Sequence, residues 1–512
     1  MVAVLAFRPP GQAAGPPIAE GARTPPPSEQ AAPSPQVTSP PVVAGPRTVF
    51  VHLFEWRWPD IAQECETFLG PKGYAAVQVS PPQEHLVAPN NPWWERYQPV
   101  SYKLESRSGT RAEFADMVSR CKAAGVDIYA DAVINHMSGM ESGTGSAGTA
   151  FTHYSYPGLY EYDDFHHCGL SGRTDDIYSY RNKTEVQTCE LVNLADLDTG
   201  SPKVQDRIAA YLNDLLSLGV AGFRIDAAKH IDTNELKAIL GKLNKTTSGT
   251  APYIYQEVIE GAGEAVTAKE YFQNGDVSEF KFSTRLGPNF RRGKLANLET
   301  FAKTGAFMPT GIAVVFVNNH DNQRGHGAGG DVITYKDDKL YNLANIYMLA
   351  WPYGYPSVMS SYEFDNSDQG PPSEADGKTR PVYSSGVPDC SNGRWVCEHR
   401  WPDIAGMVGF RNYTSPRFEV TDWWSNGSNA IAFGRGDLGF AIINREDAEL
   451  SNTFQTGMPA GTYCDVTKGE LTTDGRGCTG PTVTVNETGQ ITLTVPSMSA
   501  VAIHGGAKVG GR

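Results

Sequence analysis

Eight short apolar runs, separated by stretches of helical periodicity, set the plan of this chain. They are TVFVHLF (48–54), YAAVQVS (74–80), VDIYADAVI (126–134), AGFRIDA (221–227), YIYQEVI (253–259), VSEFKF (277–282), AVVFVNN (313–319) and YPSVMSS (355–361). Each is bounded by polar or turn-forming residues and reads as a buried strand. Between them lie amphipathic segments such as EFADMVSRCKAAG, VQDRIAAYLNDLLSLG and LYNLANIYMLAW. Strands alternating with helices, the strands apolar on both faces, predict an α/β fold: a closed (β/α)8 TIM barrel.

Three stretches depart from that rhythm. About 65 residues rich in Gly, Ser, Tyr and Asp separate the third strand from the helix near Ser201. A structureless loop of that length is out of place in a compact domain, so residues 135–200 read as a small inserted domain. After about residue 418, NAIAFGRG, LGFAIINR, PTVTVN and QITLTVP alternate apolar with polar and are split by turn signals. They predict a C-terminal antiparallel β-sandwich over 418–507, with 508–512 as a tail. Residues 1–46 hold 12 of the 35 Pro and should form a disordered leader. The barrel is then assigned to 47–134 and 201–417, and no internal repeat is visible.

Composition narrows the function. Hydrophobic residues make up 40% and charged residues 20%, as in a globular chain, and the formal net charge is −14. That charge disfavours nucleic acid and anionic membranes as partners and suits a neutral substrate. No apolar run reaches the roughly 18–20 residues that span a bilayer, and a monomer is expected. The 23 Tyr, 21 Phe and 9 Trp could offer faces on which sugar rings stack, although most such residues serve in cores. Eight Cys without CxxC zinc spacing favour disulfides and an oxidising compartment. Secretion is therefore expected. Because MVAVLAFRPP lacks a basic start and a long apolar stretch, the true signal is expected to be trimmed or its start codon misplaced.

Three acids mark the chemistry. Asp226 closes GFRID, Glu257 closes YIYQE, and Asp321 ends VVFVNNHD. Acids at the carboxyl ends of separate barrel strands are how this architecture builds an active site, and paired carboxylates are the machinery of glycoside cleavage. Taken singly, each would be an ordinary ion-paired or surface group.

DAVINH, GFRIDAAKH, YQEVIE and FVNNHD resemble, in order, the four signature segments of the α-amylase family of glycoside hydrolases. The likeness is to its animal-type members and extends to HLFEW, NPWWERYQPVSYKL, DNQRGHGAGG and MLAWPYG, roughly residues 46–507. The resemblance implies retaining endo-hydrolysis of α-1,4-glucosidic bonds in starch and related glucans. Asp226 would be the nucleophile, Glu257 the acid/base and Asp321 the stabiliser of the transition state. Crowding and partial burial should raise one carboxyl pKa, that of the acid. His136 and His320 would bond the sugar at the cleavage point. Arg224 would keep Asp226 ionised and also face substrate. Trp93, Trp94, Tyr97 and Gln98 would form the stacking wall, and Lys229 and His230 would line the leaving-group side.

The same resemblance implies a structural Ca²⁺ held by the Asn135 side chain, the Asp196 carboxylate and the carbonyls of Gln187 and His230, an oxygen set that suits the ion. Without the resemblance, Asn135 and Asp196 would serve equally as turn or cap residues. Animal members hold chloride through two Arg and one Asn. Arg224 and Asn319 match, but Ser357 stands at the second Arg, so chloride should not be required. Disulfides would pair Cys65–Cys121, Cys168–Cys189, Cys390–Cys397 and Cys464–Cys478; spacing alone leaves 105 connectivities open.

Other motifs weigh less. GHGAGG (325–330) matches GxGxxG but sits too far from its strand for a nucleotide loop and reads as a mobile loop over the cleft. His166 and His167 beside Cys168 would suggest a metal only if Cys168 were unpaired. Sequons at Asn182, Asn244, Asn412, Asn426 and Asn486 matter only in a glycosylating host. Two alternatives stay open: a maltooligosaccharide-releasing or transglycosylating relative, and a non-catalytic carbohydrate-binding protein on the same scaffold.

Overall fold

A computed structural model describes residues 47–511 apart from 171–174, 304 and 391–393, so the Pro-rich leader lies outside the described residues. All eight apolar runs contribute a barrel strand: β1 Phe50–Leu53, β2 Ala76–Val79, β3 Asp127–Ala132, β4 Gly222–Ile225, β5 Tyr253–Gln256, β6 Asp276–Ser278, β7 Ala313–Val315 and β8 Tyr355–Ser360. Each pairs in parallel with its successor, and β8 closes on β1 with Phe50 opposite Ser357. Half of the sixth run is not strand. The Glu279 side chain accepts the backbone N–H of Lys281 as an N-cap, so EFKF turns into the helix Phe280–Arg291.

The intervening helices follow their periodicity. Arg111–Ala123 starts at a capping box between Thr110 and Glu113 and buries Phe114, Met117, Val118 and Cys121 on one face. Inside the barrel, Phe50 meets Tyr355, Tyr255 and Tyr129 at ring separations of 4.9, 5.6 and 5.7 Å. This aromatic plug makes the interior a packed core, and active sites on this fold are built at the carboxyl ends of the strands.

Residues 135–200 rise from β3 as a compact unit with a small hairpin (Ser142–Thr144 with Ala150–Thr152) and the helix Lys183–Thr188. Its two ends meet where His136 bridges Asp196. Past residue 420 the chain forms a four-stranded antiparallel sheet, Thr421–Ser425, Ala430–Gly434, Gly439–Asn444 and Ser499–His504, with two two-stranded ribbons. A second apolar core, including Phe440, Ile442, Phe454 and Ile491, lies within this unit. The residues read as a tail are held: Val509 donates to the Thr462 carbonyl at 2.8 Å and Lys508 Nζ to that of Ala460 at 2.8 Å.

Arg435, buried and without a described carboxylate partner, clamps this unit to the barrel, and the equally buried Arg411 binds the neighbouring carbonyls from within the barrel. Arg435 donates to the carbonyls of Ala350 (2.8 Å) and Thr414 (3.1 Å), and Arg411 to those of Trp351 and Gly354. Backbone oxygens at the end of the helix Lys339–Ala350 thereby gain the donors that their own helix cannot supply. On the helix Pro402–Thr414, Asn412 accepts from the Thr48 N–H (2.8 Å) and donates to the Gly73 carbonyl (2.8 Å). The side chain of that sequon is thus committed to the fold. All four expected disulfides are closed, and no described cysteine is free.

Candidate active site

The three acids stand just beyond the strand ends. The Asp226 N–H still donates to the Ala132 carbonyl of β3 (3.1 Å), and the Glu257 N–H to that of Ile225 on β4 (2.9 Å), so barrel pairing fixes both backbones. Ala227 then adopts a left-handed conformation (φ 47°), unusual for a residue with a Cβ. That turn aims its N–H at Glu257 Oε2, 3.0 Å away. Past the end of β7, the Asn319 side chain accepts from the N–H groups of Asp321 (3.1 Å) and Asn322 (2.8 Å) and shapes the turn that presents Asp321.

Beneath them lies Arg224. Its Nη1 reaches Asp131 Oδ1 (2.6 Å) and Asp226 Oδ1 (2.8 Å), and its Nη2 faces Glu257 Oε1 at 2.9 Å. Arg224 belongs to the floor under the carboxylates, not to the cleft wall, which corrects its expected contact with substrate. Asp131 completes the set and was not among the expected site residues. It is fully buried and also accepts from the Tyr97 hydroxyl (2.9 Å). Its signal in the sequence was the leading Asp of DAVINH.

With Asp321, four carboxylates share this one guanidinium and cannot all be ionised. Burial, with the charges of Glu257 and Asp131 adding to it, pushes Asp226 up to about 8 against the pull of Arg224. Burial also raises Asp321 well above the usual carboxylate range, and Asp131 less far. Losing a proton from one acid makes the next harder to remove, so the set titrates as a group. The expected lift of a carboxyl is present, but it falls on Asp226, the expected nucleophile.

A cleft of about 920 Å³ opens above this floor, lined by Trp93, Trp94, Tyr97, His136, Lys229, His230 and His320 together with the three acids. His320 stacks on Tyr97 at 5.1 Å and 10°. His136 Nε2 lies 3.0 Å from the Tyr97 carbonyl, and burial lowers its pKa to about 4, so its ring is neutral. Lys229 pairs with Glu264 and donates to the Ile259 carbonyl (2.8 Å). Gln98 departs from expectation. It does not line the cleft, and its Oε1 accepts from Ser138 Oγ and the Gly139 N–H, both at 3.0 Å. The aromatic wall rests on a buried ion network invisible to pattern reading. Arg107 donates to the Pro92 carbonyl (2.8 Å) and pairs with Glu55 and Glu95, while Arg96 pairs with Glu55 at 2.8 Å.

Two of the expected calcium donors, Asn135 and Asp196, are in hydrogen-bond contact. Asp196 is buried, takes Asn135 Nδ2 at 3.2 Å and His166 Nδ1 at 2.7 Å, and is raised to about 7 by burial. His230 Nδ1 meets the Val186 carbonyl at 2.9 Å, bringing the inserted helix of Gln187 against the turn after β4. Below the floor, Ser357 lines a cavity of about 20 Å³ with Arg224, His52 and Asn319.

Known proteins resolve the family. Residues 76–358 match the alpha amylase catalytic domain, and residues 423–506 match the alpha amylase C-terminal all-beta domain. The chain belongs to the alpha-amylase family. It is 45% identical over 488 residues to an alpha-amylase of Pecten maximus (92% of this chain, 95% of that one), and 46% identical over 492 residues to the pancreatic alpha-amylase of Sus scrofa (90% and 95%). Among solved structures, alpha-amylase I of Eisenia fetida, crystallised as wild type and as a variant with maltohexaose, superimposes with a TM-score of 0.84 at 44% identity, covering 90% of this chain and 97% of that one. The protein is an alpha-amylase, a glycoside hydrolase acting on α-1,4-glucosidic bonds.

The raised carboxyl gives this amylase a signed pH dependence. Asp226 has an ordinary value of 3.8 and a folded value of about 8. Its contribution to stability is present in full below pH 3.8 and is lost as pH rises through 8. Asp226→Asn removes the ionisable group. Its thermal midpoint is expected to exceed that of the parent by about 2 °C or more at pH 8, with a smaller difference at pH 5, in calorimetric scans.

Proposed function

We propose that Asp226, Glu257 and Asp321 carry out retaining endo-hydrolysis of starch, glycogen and maltooligosaccharides. The supporting observation is the Arg224 guanidinium, whose adjacent nitrogens hold Asp226 (2.8 Å) and Glu257 (2.9 Å) close together on the cleft floor. Close carboxyls favour a covalent route over one that must fit a water between them. Asp226 attacks the anomeric carbon while Glu257 gives its proton to the departing oxygen, and a glycosyl ester forms. Water, deprotonated by Glu257, then displaces Asp226 and restores the α configuration. Arg224 donates a charge-assisted hydrogen bond to Asp226, which suits a nucleophile, and Glu257 takes the acid/base role. Asp321 and His320 lie together at 3.4 Å, where they would meet hydroxyls of the sugar being cleaved. Trp94 and Tyr97 would offer stacking faces, and Lys229 and His230 would line the side taken by the leaving chain.

A structural Ca²⁺ fits Asn135, Asp196 and the carbonyls of Gln187 and His230. The ion would add positive charge beside buried Asp196 and tie the inserted region to the turn after β4, with no part in bond cleavage. The reading places no anion beside Arg224, since three carboxylates already face that guanidinium and Ser357 brings no second charge. Four disulfides and a formal net charge of −14 support an extracellular monomer without nucleic-acid or membrane partners. No described helix is long and apolar enough to cross a membrane.

Three measurements test these assignments. By NMR, soluble starch should yield α-anomeric ends with a rapid loss of chain length, and Glu257→Gln should lower kcat by about 10²–10⁴-fold; β-anomeric product would overturn the covalent route. Removing chloride should change turnover by less than about tenfold, the smallest loss a single displaced catalytic charge would be expected to cause. Chelation should lower the thermal midpoint of the wild type, and Asp196→Ala should no longer respond to added Ca²⁺.

A further inference from the structure

Three residues beyond Asp321 stands an arginine whose surroundings differ from those of every other cation at the site. Arg324 is 7% exposed and faces no carboxylate at ion-pair distance. Rings surround it instead: Phe364 at 3.9 Å, Tyr362 at 4.7 Å, Phe54 at 5.6 Å and Trp93 at 6.0 Å from the guanidinium carbon. Its Nη1 donates to the Gln369 carbonyl (3.2 Å), which also receives the Tyr362 hydroxyl (2.7 Å), while Nε and Nη2 find no hydrogen-bond acceptor. A desolvated guanidinium held this way gains most of its compensation from ring faces.

The cage joins two parts of the cleft. On one side, the Arg324 N–H donates to the Asp321 carbonyl (3.0 Å), closing the turn that presents Asp321. After it come four glycines with φ of 81°, 64°, 58° and 99° (Gly325, Gly327, Gly329 and Gly330), a backbone with little stiffness of its own. On the other side, the segment carrying Tyr362, Phe364 and Gln369 also carries Ser367 and Asp368, whose carbonyls take Trp93 Nε1 (2.8 Å) and the Trp93 N–H (3.3 Å). Phe54, a third wall, packs against His320 at 5.2 Å and stacks on Tyr362 at 5.7 Å.

We propose that Arg324 is a positioning residue, a caged cation that locks the Asp321 turn to the segment supporting Trp93 and so sets the distance between the transition-state acid and the aromatic wall. The proposal rests on the role assigned to Asp321. The guanidinium also carries a positive charge on the turn it shares with Asp321, whose carbonyl its own N–H meets at 3.0 Å. Removing it should therefore displace the turn and make Asp321 harder to ionise.

The test compares Arg324→Met, Arg324→Lys and Phe364→Leu with the parent on a maltooligosaccharide of defined length, recording kcat, KM, the acidic limb of the pH profile and the thermal midpoint. Arg324→Met is expected to lower kcat by about 10–100-fold with a smaller change in KM, since a displacement near 1 Å can cost that much. Its acidic limb should move to higher pH, and Arg324→Lys, which keeps the charge, should recover most of kcat and the parental limb. A folded Arg324→Met with parental kcat and pH profile would overturn the proposal, as would equal losses in the Met and Lys variants. If Arg324→Met does not fold, Phe364→Leu decides: a fall in kcat at similar KM supports the lock, and parental kcat refutes it. Asp321→Asn is measured alongside. Full activity there would remove the role of Asp321 itself, a failure separate from that of the cage.

Discussion

The site depends on one buried cation facing more negative charge than it can neutralise. Arg224 extends from β4 between Asp131 on β3 and the acids at the ends of β4 and β5, and barrel pairing places Asp131 directly opposite it in register. Each carboxylate would be costly to bury alone. Arg224 lowers that cost enough for the group to exist, and the remaining crowding keeps part of the set protonated. Catalytic capacity and local instability therefore arise from the same arrangement. The rest of the barrel, from the aromatic plug around Phe50 to the clamps of Arg411 and Arg435, supplies the rigidity that keeps the charges from moving apart.

Much of this could be read from the chain. The barrel strands are nearly continuous apolar runs because both of their faces are covered, so they stand out from amphipathic helices, and the acids at their ends mark the mouth. The sandwich announced itself by alternation, as in Thr482–Val485, where exposed and buried residues alternate. What escaped depends on specific side-chain contacts, most of them distant in sequence. The strand at VSEFKF ends early because Glu279 caps a helix, which apolar content does not reveal. Gln98 faces Ser138 and Gly139, contacts that exist only once the inserted region has folded. Asp131 looked like one more polar residue in an apolar run, and only its register with Arg224 makes it part of the floor. The disulfide pairing needed the family resemblance, since spacing alone could not choose among connectivities.

The cleft wall shows how side chains that never meet substrate can set its shape. Trp93 and its neighbours form a short 3-10 helix, Trp93–Tyr97, propped by Arg107 and Arg96 over the buried Glu55 and Glu95. A fully desolvated ion network is a weak source of stability, but its geometry tolerates few alternatives. Here it fixes the angle at which the aromatic faces meet the acids. The inserted region adds further residues to the cleft lining, such as Tyr180 and Leu194, and its two ends meet at the seam of His136 and Asp196.

Closure of the barrel has a consequence for synthesis. β1 must wait for β8, about 300 residues later, and its start is tied down by Asn412, which emerges later still. While the chain leaves the ribosome, strands β1 to β7 can form at most an open sheet with two bare edges, each able to recruit a stray strand. The aromatic plug cannot be sealed during that interval, because Tyr355 has not yet been made. The order of translation thus imposes a vulnerable period that ends only when the last barrel helix is released, and production of this enzyme should be limited there, by aggregation of nascent chains, more than by the stability of the finished fold.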